Sequence, residues 1–456
     1  MRIWRRGRKS ALRRELRNLT LPILIETMLV MTLGAVDTFM LSRHSDESVA
    51  AVGLANQMMT FCFLIFQVIN LGTSVLCSQY LGARMRERME TVVGVALVVN
   101  LLFGIAVSVL LFACAPQILI ALGLQGEMLA EGVPYMKIAG AFCFFQALQL
   151  TLSAVLRAND KPIYPMMVVL VVNCLNILGN YMLIFGKFGA PELGVSGAAI
   201  STSVCRMVAM VILAVIVFRT TVSRFPTHIF KKWPRKEFRN LMKIGLPSAG
   251  ENMSYDCSQL IIAAVITSLG MESLAVRTYC VNIIMYVYLF SIAISHAGAI
   301  SIGHLVGAGR WQGAYLMGKY VMKVALVWTM IFSVSIASMG TAIMSTLTAN
   351  QEIIALGVAI LWIDVVLEIG RPVNILFVNI LQAAGDVNYP FYVGLIFQWT
   401  LGVAAAYVLG VPMGLGILGM WWMFAFDENV RAIVFIRRWE SRRWQYKGFT
   451  PSPAAA

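Results

Sequence analysis

The chain has 456 residues, of which 59% are apolar and only 13% are charged. A soluble globular chain is about half apolar and about a quarter charged, so this composition excludes a soluble protein. The 36 lysines and arginines outnumber the 22 aspartates and glutamates, which gives a net charge of +14. The basic residues lie between apolar runs and at the chain ends, as topology determinants do, so we expect no nucleic-acid partner.

Apolar runs of about 20 residues recur along the whole chain and predict transmembrane helices. Strand-period alternation is absent, so we expect an all-α membrane protein. Six spans are predicted in the first half of the chain, at about 20–41, 50–75, 91–113, 133–155, 163–185 and 196–218. Six more are predicted in the second half, at about 243–267, 278–301, 318–340, 355–379, 388–410 and 414–436.

The predicted organisation has five parts: a basic N-terminus (1–18), a first lobe with spans 1–6 (19–218), an inter-lobe linker (219–240), a second lobe with spans 7–12 (241–436) and a basic tail (437–456). We expect the tail to be frayed. Lysines and arginines concentrate in the N-terminus and in the loops that follow even-numbered spans, whereas the odd-numbered loops are acidic. This distribution predicts a multi-pass protein of the cell (inner) membrane with both termini in the cytoplasm.

The two halves are copies of one six-span unit, because turn and loop residues recur at a constant offset of 225 positions. The recurring residues include Leu21-Pro22 and Glu26 with Leu246-Pro247 and Glu251, Leu156-x-Ala158 with Leu381-x-Ala383, and Tyr164-Pro165 with Tyr389-Pro390. Near the end of each copy the offset shifts to 222, where Gly194 and Gly197 correspond to Gly416 and Gly419. An even number of spans per copy predicts parallel repeats around a central cavity, with transport by alternating access.

Several of these stretches resemble the multidrug and toxic compound extrusion (MATE) transporters, over about residues 18–436. The resemblance is carried by Leu21-Pro22, Val36-Asp37-Thr38, Gly194-Val195-Ser196-Gly197-Ala198-Ala199, Gly245-Leu246-Pro247-Ser248 with Glu251-Asn252, and Leu381-Gln-Ala-Ala-Gly-Asp386. It implies a secondary antiporter that exports amphiphilic, often cationic compounds in exchange for sodium ions or protons.

Asp37 lies about one turn from the predicted extracellular end of span 1. A carboxylate inside the membrane either binds a cation or takes up a proton, because desolvation disfavours its charged form. The resemblance makes Asp37 a cation- or proton-linked residue of the first lobe. The alternative is an acid at the helix end that reaches the membrane interface.

Span 5 carries Asn173, Asn176 and Asn180 at spacings that place them on one helix face. Their carbonyl oxygens suit a hard cation such as Na+. The resemblance assigns Asn176 and Asn180 to positions that act together with the span-1 aspartate. Some relatives have a second acid where this chain has Asn180, which argues against a first lobe that only relays protons. Hydrogen bonding between helices is the alternative.

In span 7, Tyr255 and Gln259 follow Glu251 at i+4 and i+8, so carboxylate, phenol and amide line one stripe of the helix. The resemblance places Glu251 on a cation-site glutamate, so Na+ is expected at Asp37 or Glu251. A carboxylate that only packs against neighbouring helices is the alternative. Asp256 lies about 100° further round the helix and either serves the same cavity or is structural.

Span 10 contains Asp364, Glu368 and Arg371 at i, i+4 and i+7. An acid and a base about one turn apart neutralise each other, which makes their burial tolerable. Arg371 falls close to where several relatives carry an aspartate, and this departure weakens a direct transfer of their second-lobe sodium site. We expect either an internal salt bridge alone, or Arg371 holding Glu368 with Asp364 left free.

The sequence contains no phosphate-binding loop and no spaced set of nucleophile, base or metal ligands, so we expect neither ATP coupling nor enzyme activity. We expect no cofactor other than the coupling ion, Na+ or H+. The expected partners are small amphiphilic or cationic molecules and the lipid bilayer, and we expect a monomer. Two alternatives remain: a channel or receptor, and a flippase for a lipid-linked precursor. A flippase calls for more cationic residues than Arg206, Arg277 and Arg371 supply.

Overall fold

The computed structural model describes the backbone of residues 2–223 and 225–450, and their side chains except those of residues 2–13 and 15. Position 224 of the predicted linker and positions 1 and 451–456 at the predicted termini lie outside this part. The chain divides into two compact units. The first lobe comprises Leu21–Leu81 and Met85–Gly245, and the second lobe comprises Leu246–Ala456 with Met1–Thr20 and Gly82–Arg84.

The first half of the chain forms nine helices within the described residues. They are α1 (Arg2–Ser42), α2 (Asp46–Gly82), α3 (Arg86–Ala113), α4 (Ala115–Ala121), α5 (Gly126–Ala141), α6 (Cys143–Ala158), α7 (Ile163–Phe185), α8 (Gly194–Thr220) and α9 (His228–Lys231). Helices α3 and α8 organise the first lobe, because both pack against α5 and α6 and α8 also packs against α7. The fully buried Phe66 and Leu111 belong to its apolar core.

The second half begins with α10 (Arg235–Ser268), α11 (Met271–Gly307), α12 (Trp311–Ser338), α13 (Gly340–Leu347) and α14 (Gln351–Ala383). It continues with α15 (Asn388–Phe397), a π-helical segment (Gln398–Ala405), α16 (Ala406–Gly410) and α17 (Gly416–Glu440). Helix α14 is the centre of the second lobe, where it packs against α11, α12 and α17. The side chain of Asn350 caps its first turn by accepting hydrogen bonds from the backbone of Glu352 and Ile353.

The twelve predicted spans correspond to α1, α2, α3, α5 with α6, α7 and α8, and then to α10, α11, α12, α14, α15 through α16, and α17. The predicted all-α fold is therefore confirmed. Nine described helices are long and apolar enough to cross a membrane, and the pair α5 and α6 makes ten. The two spans outside this set, α10 and α17, carry four of the charged side chains of the site described below, namely Glu251, Asp427, Glu428 and Arg431.

Many helices are longer than the apolar runs that predicted them. Helix α11, for example, has 37 residues from Met271 to Gly307, whereas the predicted span covers 278–301. The difference arises because hydropathy marks only the segment that crosses hydrocarbon, while helical hydrogen bonds continue through the polar ends.

Within the described residues, the backbone of the two copies of the repeat differs in span 4 and in span 11. In the first lobe, span 4 bends by 46° between α5 and α6, at Phe142. The corresponding part of the second lobe is the uninterrupted helix α14. In span 11 the second copy is the irregular one, because Gln398–Ala405 is π-helical. The corresponding residues of the first copy, Asn173–Asn180, belong to the regular helix α7.

The expectation of a frayed tail is wrong for the residues up to Thr450. The rings of Trp439 and Trp444 stack at a centroid distance of 4.1 Å, and both side chains are fully buried. The carboxylate of Asp386, in the turn after α14, lies 2.7 Å from Arg438 and 2.7 Å from Lys447. Aromatic packing and these two ion pairs therefore hold the tail against the second lobe.

Candidate functional site

The second lobe contains a cavity of about 470 Å³ among α10, α11, α14, α15, the π-helical segment and α17. Its charged lining residues are Glu251, Arg277, Arg371, Asp427, Glu428 and Arg431. The uncharged part of the wall includes Tyr255, Gln259, Tyr288, Asn374, Gln398 and Trp421. A cavity of this size with a few polar groups in an apolar wall is typical of small-molecule sites.

Helix α10 supplies one wall of the cavity. Glu251, Tyr255 and Gln259 all line it, because residues four apart lie on one face of a helix. Asp256, one position beyond Tyr255, is exposed and is not among the lining residues. The structure therefore brings three of the four span-7 candidates together and leaves Asp256 on another face.

Glu251 has a neutral partner. Gln382 Nε2 on α14 donates a hydrogen bond of 3.2 Å to Glu251 Oε2. Within the described part of the chain, no lysine or arginine lies within ion-pair distance of Glu251. Arg431 acts on the Glu251 carboxylate only across a longer distance, so no ion pair occupies it.

Arg371 on α14 lies between two carboxylates of its own helix. Its Nη1 atom is 2.6 Å from Glu368 Oε1, and its Nη2 atom is 3.4 Å from Asp364 Oδ1. Both acids are buried, and the guanidinium also lies over the ring of Tyr288. The expectation that Asp364 is left free thus differs from the structure, in which one arginine serves both acids.

A second arginine that contacts two carboxylates of its own helix lies on α17. Arg431 Nη2 is 2.8 Å from Asp427 Oδ2 and 2.9 Å from Glu428 Oε1. Asn374 links α14 to this group on α17. Its amide donates to the Glu428 carboxylate at 2.5 Å and to the Glu428 backbone carbonyl at 2.7 Å. Sequence reasoning missed these residues, although three charged side chains within the predicted span 414–436 could have indicated those on α17.

The carboxylates of this region outnumber its arginines. Five acids (Glu251, Asp364, Glu368, Asp427 and Glu428) face three arginines (Arg277, Arg371 and Arg431) in the cavity wall and directly behind it. If all are ionised, the cluster has an excess of negative charge. A negative cluster in a low-dielectric surrounding attracts cations or protons strongly.

The first lobe has a smaller polar group around Asp37. Asn180 Nδ2 donates to Asp37 Oδ1 at 2.7 Å and to Asn176 Oδ1 at 3.0 Å. Asn176 in turn contacts Ser201 and Thr202 on α8. Asn173 is held apart from this group, since its amide donates to the backbone carbonyl of Leu29. The structure thus joins three of the predicted first-lobe residues, Asp37, Asn176 and Asn180.

One atom of this group lacks a protein partner. Asn180 Oδ1 is buried and accepts no hydrogen bond from the described residues. A buried carbonyl oxygen beside a carboxylate provides ligands that Na+ accepts. The residues present at Asp37 therefore fit a hard cation.

Two lobes of membrane-crossing helices, each with acidic side chains inside the helix bundle, define this protein as a polytopic helical membrane protein. The MatE family model matches residues 22–182 and 247–408, one match in each copy of the repeat. The chain belongs to the MatE family.

Relatives and solved structures match almost the whole chain. The "Uncharacterized transporter YisQ" of Bacillus subtilis (strain 168) is 36% identical over 94% of this chain and 95% of its own length. The "Probable multidrug resistance protein NorM" of Thermotoga maritima is 25% identical, with 94% of each chain covered. A MATE crystal structure in the bent conformation matches with a TM-score of 0.88 at 20% identity, covering 95% of this chain and 96% of its own. The twelve-helix, two-lobe fold predicted from the sequence is thus confirmed.

Proposed function

We propose that the protein is a secondary active antiporter that exports amphiphilic or cationic compounds in exchange for sodium ions or protons, by alternating access. The observation that carries this proposal is Glu251, a carboxylate in a cavity among membrane helices whose hydrogen-bond partner, Gln382, is neutral. Such an acid is costly to retain in the membrane unless it binds a cation or a proton. The multidrug resistance name of the Thermotoga maritima relative supports the choice of cargo.

The coupling ion has two candidate positions. At Glu251 a Na+ ion or a proton would compete with the cationic group of the cargo for one carboxylate. At Asp37 the free carbonyl oxygen of Asn180 favours a hard cation held by oxygen ligands. In both cases occupancy by the ion and occupancy by the cargo would favour different arrangements of the protein, which is the condition for exchange.

The energy available is sufficient for efflux. A membrane potential of 100 mV is worth about 2.3 kcal/mol per elementary charge, and about 1.4 kcal/mol supports a tenfold concentration ratio. One cation that enters for each neutral molecule that leaves therefore sustains a gradient of tens-fold. If the cargo is a monovalent cation, the potential terms cancel and only the ion gradient drives export.

The orientation proposed from the loop charges places both termini in the cytoplasm of the cell, with the protein working as a monomer in the cell (inner) membrane. The basic N-terminus and the basic residues of the even-numbered loops support this arrangement. Export would then run from the side of the linker to the side of the acidic, odd-numbered loops.

Vesicles reconstituted with the purified protein and loaded with a fluorescent organic cation test the proposal. We expect saturable efflux that accelerates when an inward sodium or proton gradient is imposed, and the gradient that works identifies the coupling ion. Efflux that neither gradient accelerates would overturn antiport. Flux that does not saturate with dye concentration would indicate a channel instead.

A further inference from the structure

The linker that follows span 6, residues 219–240, carries a basic surface. We call it the basic linker surface, and its members are all exposed: Arg219, Lys231, Lys232, Arg235, Lys236 and Arg239. Glu237 is the only acid in this stretch of the sequence. Within the described part of the chain, none of the six basic side chains makes an ion pair. Their charge is therefore not compensated by a side chain in direct contact.

The other side of the linker is fixed to helix α3 of the first lobe. Pro226 and Ile229 are buried and pack against Gly94, where a Cβ atom would lie only 2.4 Å from Pro226 Cγ. The backbone is held as well, because Glu90 on α3 accepts a hydrogen bond of 3.1 Å from the Ser223 amide. The linker thus presents its charges on a surface of fixed position.

Helix α8, which leads into the linker, shows where the lipid lies. Its exposed apolar side chains recur at spacings of three and four, which places them on one face of the helix: Val204, Met207, Val211, Val215 and Phe218. Thr202 contacts Asn176 inside the lobe and lies nine positions before Val211, which is about 180° round the helix. Since α8 is apolar enough to cross a membrane, this outward face contacts lipid.

Aromatic rings continue this lipid-facing stripe into the linker. The ring of Phe225 lies 6.4 Å from that of Phe218 and 5.9 Å from that of Phe230. Phe230 is 68% exposed, and Trp233 is exposed three residues later, beside Phe238 in the first turn of α10. Exposed aromatic side chains next to a membrane helix are typical of the membrane–water interface. The linker therefore lies at the level of the lipid headgroups.

We propose that the linker is a lipid-binding surface that recognises anionic phospholipids of the bilayer. The basic linker surface binds the headgroup phosphates, while Phe230 and Trp233 insert between the headgroups and the acyl chains. A group of about four to eight lysines and arginines directly beside a membrane helix attracts anionic lipid in this way. The inference goes beyond the proposed antiport and depends neither on the coupling ion nor on the cargo.

Two physical terms favour a lipid over a soluble acidic partner such as RNA. Lysine and arginine stems lie along apolar surface while their charged ends reach a phosphate, which suits the boundary between acyl chains and headgroups. The exposed rings gain from contact with acyl chains, which a soluble polyanion does not provide. Binding should therefore require both the phosphate and the chains, and it should weaken as salt screens the charges.

Equilibrium binding of short-chain phospholipids to the purified full-length protein in detergent, followed by native mass spectrometry, tests this inference without an ion gradient. The probes are dioctanoyl phosphatidylglycerol, which is anionic, and dioctanoyl phosphatidylcholine, which is zwitterionic. In the double variant Lys231→Gln and Lys232→Gln we expect the affinity for phosphatidylglycerol to fall about tenfold or more, because each basic residue near an anionic surface contributes about fivefold. The affinity for phosphatidylcholine should not change. Lys231→Arg with Lys232→Arg keeps both charges and should bind phosphatidylglycerol as the parent does.

The matched control is Arg437→Gln with Arg443→Gln, which removes the same charge from two exposed positions near the end of the chain. We expect this variant to retain the affinity for phosphatidylglycerol. An equal loss in the two glutamine variants would overturn the inference by showing an effect of overall charge, and unchanged binding in the linker variant would overturn it as well. Glycerophosphoglycerol, the headgroup without acyl chains, should bind far more weakly than the lipid. If it or a short RNA binds as tightly as the lipid, the surface is a site for soluble phosphates and the inference is wrong.

Discussion

The two lobes place a glutamate at the same position of the repeat and give it different partners. In the first lobe Glu26 lies 3.6 Å from the guanidinium of Arg157. In the second lobe Glu251 accepts a hydrogen bond from Gln382, which corresponds to Arg157 by the offset of 225. The difference between Arg157 and Gln382 therefore determines the partner of the glutamate. Glu26 is paired with an arginine, whereas Glu251 accepts a hydrogen bond from a neutral amide.

Asp37, the acid predicted as a coupling residue in the first lobe, has no acidic counterpart in the second lobe. Asp37 of the first lobe accepts a hydrogen bond from the amide of Asn180, whereas the corresponding positions of the second lobe are Ile262 and Ala405. Among the described residues, each lobe thus holds an acid that accepts a hydrogen bond from an amide and makes no ion pair, at a different place in the repeat. The comparison teaches that the fold was duplicated but the chemistry was divided between the copies.

Making the second lobe like the first should have the largest effect. In Gln382→Arg the new guanidinium would pair with Glu251 and occupy the place of the cation. We expect gradient-driven dye efflux from vesicles to fall about a hundredfold, equivalent to about 2.7 kcal/mol. Gln382→Met, which removes the hydrogen bond without adding a charge, is the control and should keep most of the activity. Comparable efflux in Gln382→Arg and in the parent protein would refute the assigned role of this pair.

Neutralising the acid of the first lobe should have a smaller effect. Asp37→Asn keeps an oxygen that can accept from Asn180 but removes the negative charge that attracts the coupling ion. We expect the concentration of coupling ion required for half-maximal efflux to rise about tenfold, equivalent to about 1.4 kcal/mol. An unaltered ion dependence would assign coupling to the second lobe alone.

Breaking the neutralised pair of the first lobe should affect stability but not transport. Glu26→Gln leaves Arg157 without its counter-charge, and the Arg157 side chain is 24% exposed. We therefore expect a loss of about 1–2 kcal/mol, between the values for exposed and buried pairs, seen as a lower unfolding temperature in detergent. Efflux per folded molecule should stay within about twofold of the parent. A loss of ion dependence in this variant would mean that Glu26 takes part in coupling.

The sequence was sufficient for the fold but only partly for the site. Hydropathy and the repeat register predict every span, because both depend on composition and spacing along the chain. The face shared by Glu251, Tyr255 and Gln259 also follows from helical spacing. The register aligns Leu156-x-Ala158 with Leu381-x-Ala383, so the sequence shows that Arg157 in the first copy is replaced by Gln382 in the second. It does not show which side chain each of these two residues contacts.

Contacts between helices distant in sequence could not be predicted in this way. The pairing of Gln382 with Glu251 depends on how α14 packs beside α10, and Asn374 reaches Glu428 only because α14 and α17 approach closely. The π-helical segment at Gln398–Ala405 was equally invisible, since its residues are compatible with a regular helix and tertiary packing decides between the two. The packing of the tail segment up to Lys447 depends in the same way on tertiary contacts of Trp439 and Trp444, which composition does not reveal.

The most direct test of the central claim, that Glu251 is the acid through which ion and cargo exchange, is the efflux of a fluorescent cation from vesicles that contain Glu251→Gln. At equal amounts of folded protein, and with Glu26→Gln as the matched control from the other copy of the repeat, we expect Glu251→Gln to lose gradient-driven efflux while the control retains it. Gradient-driven efflux in Glu251→Gln at the rate of the parent protein would contradict the claim.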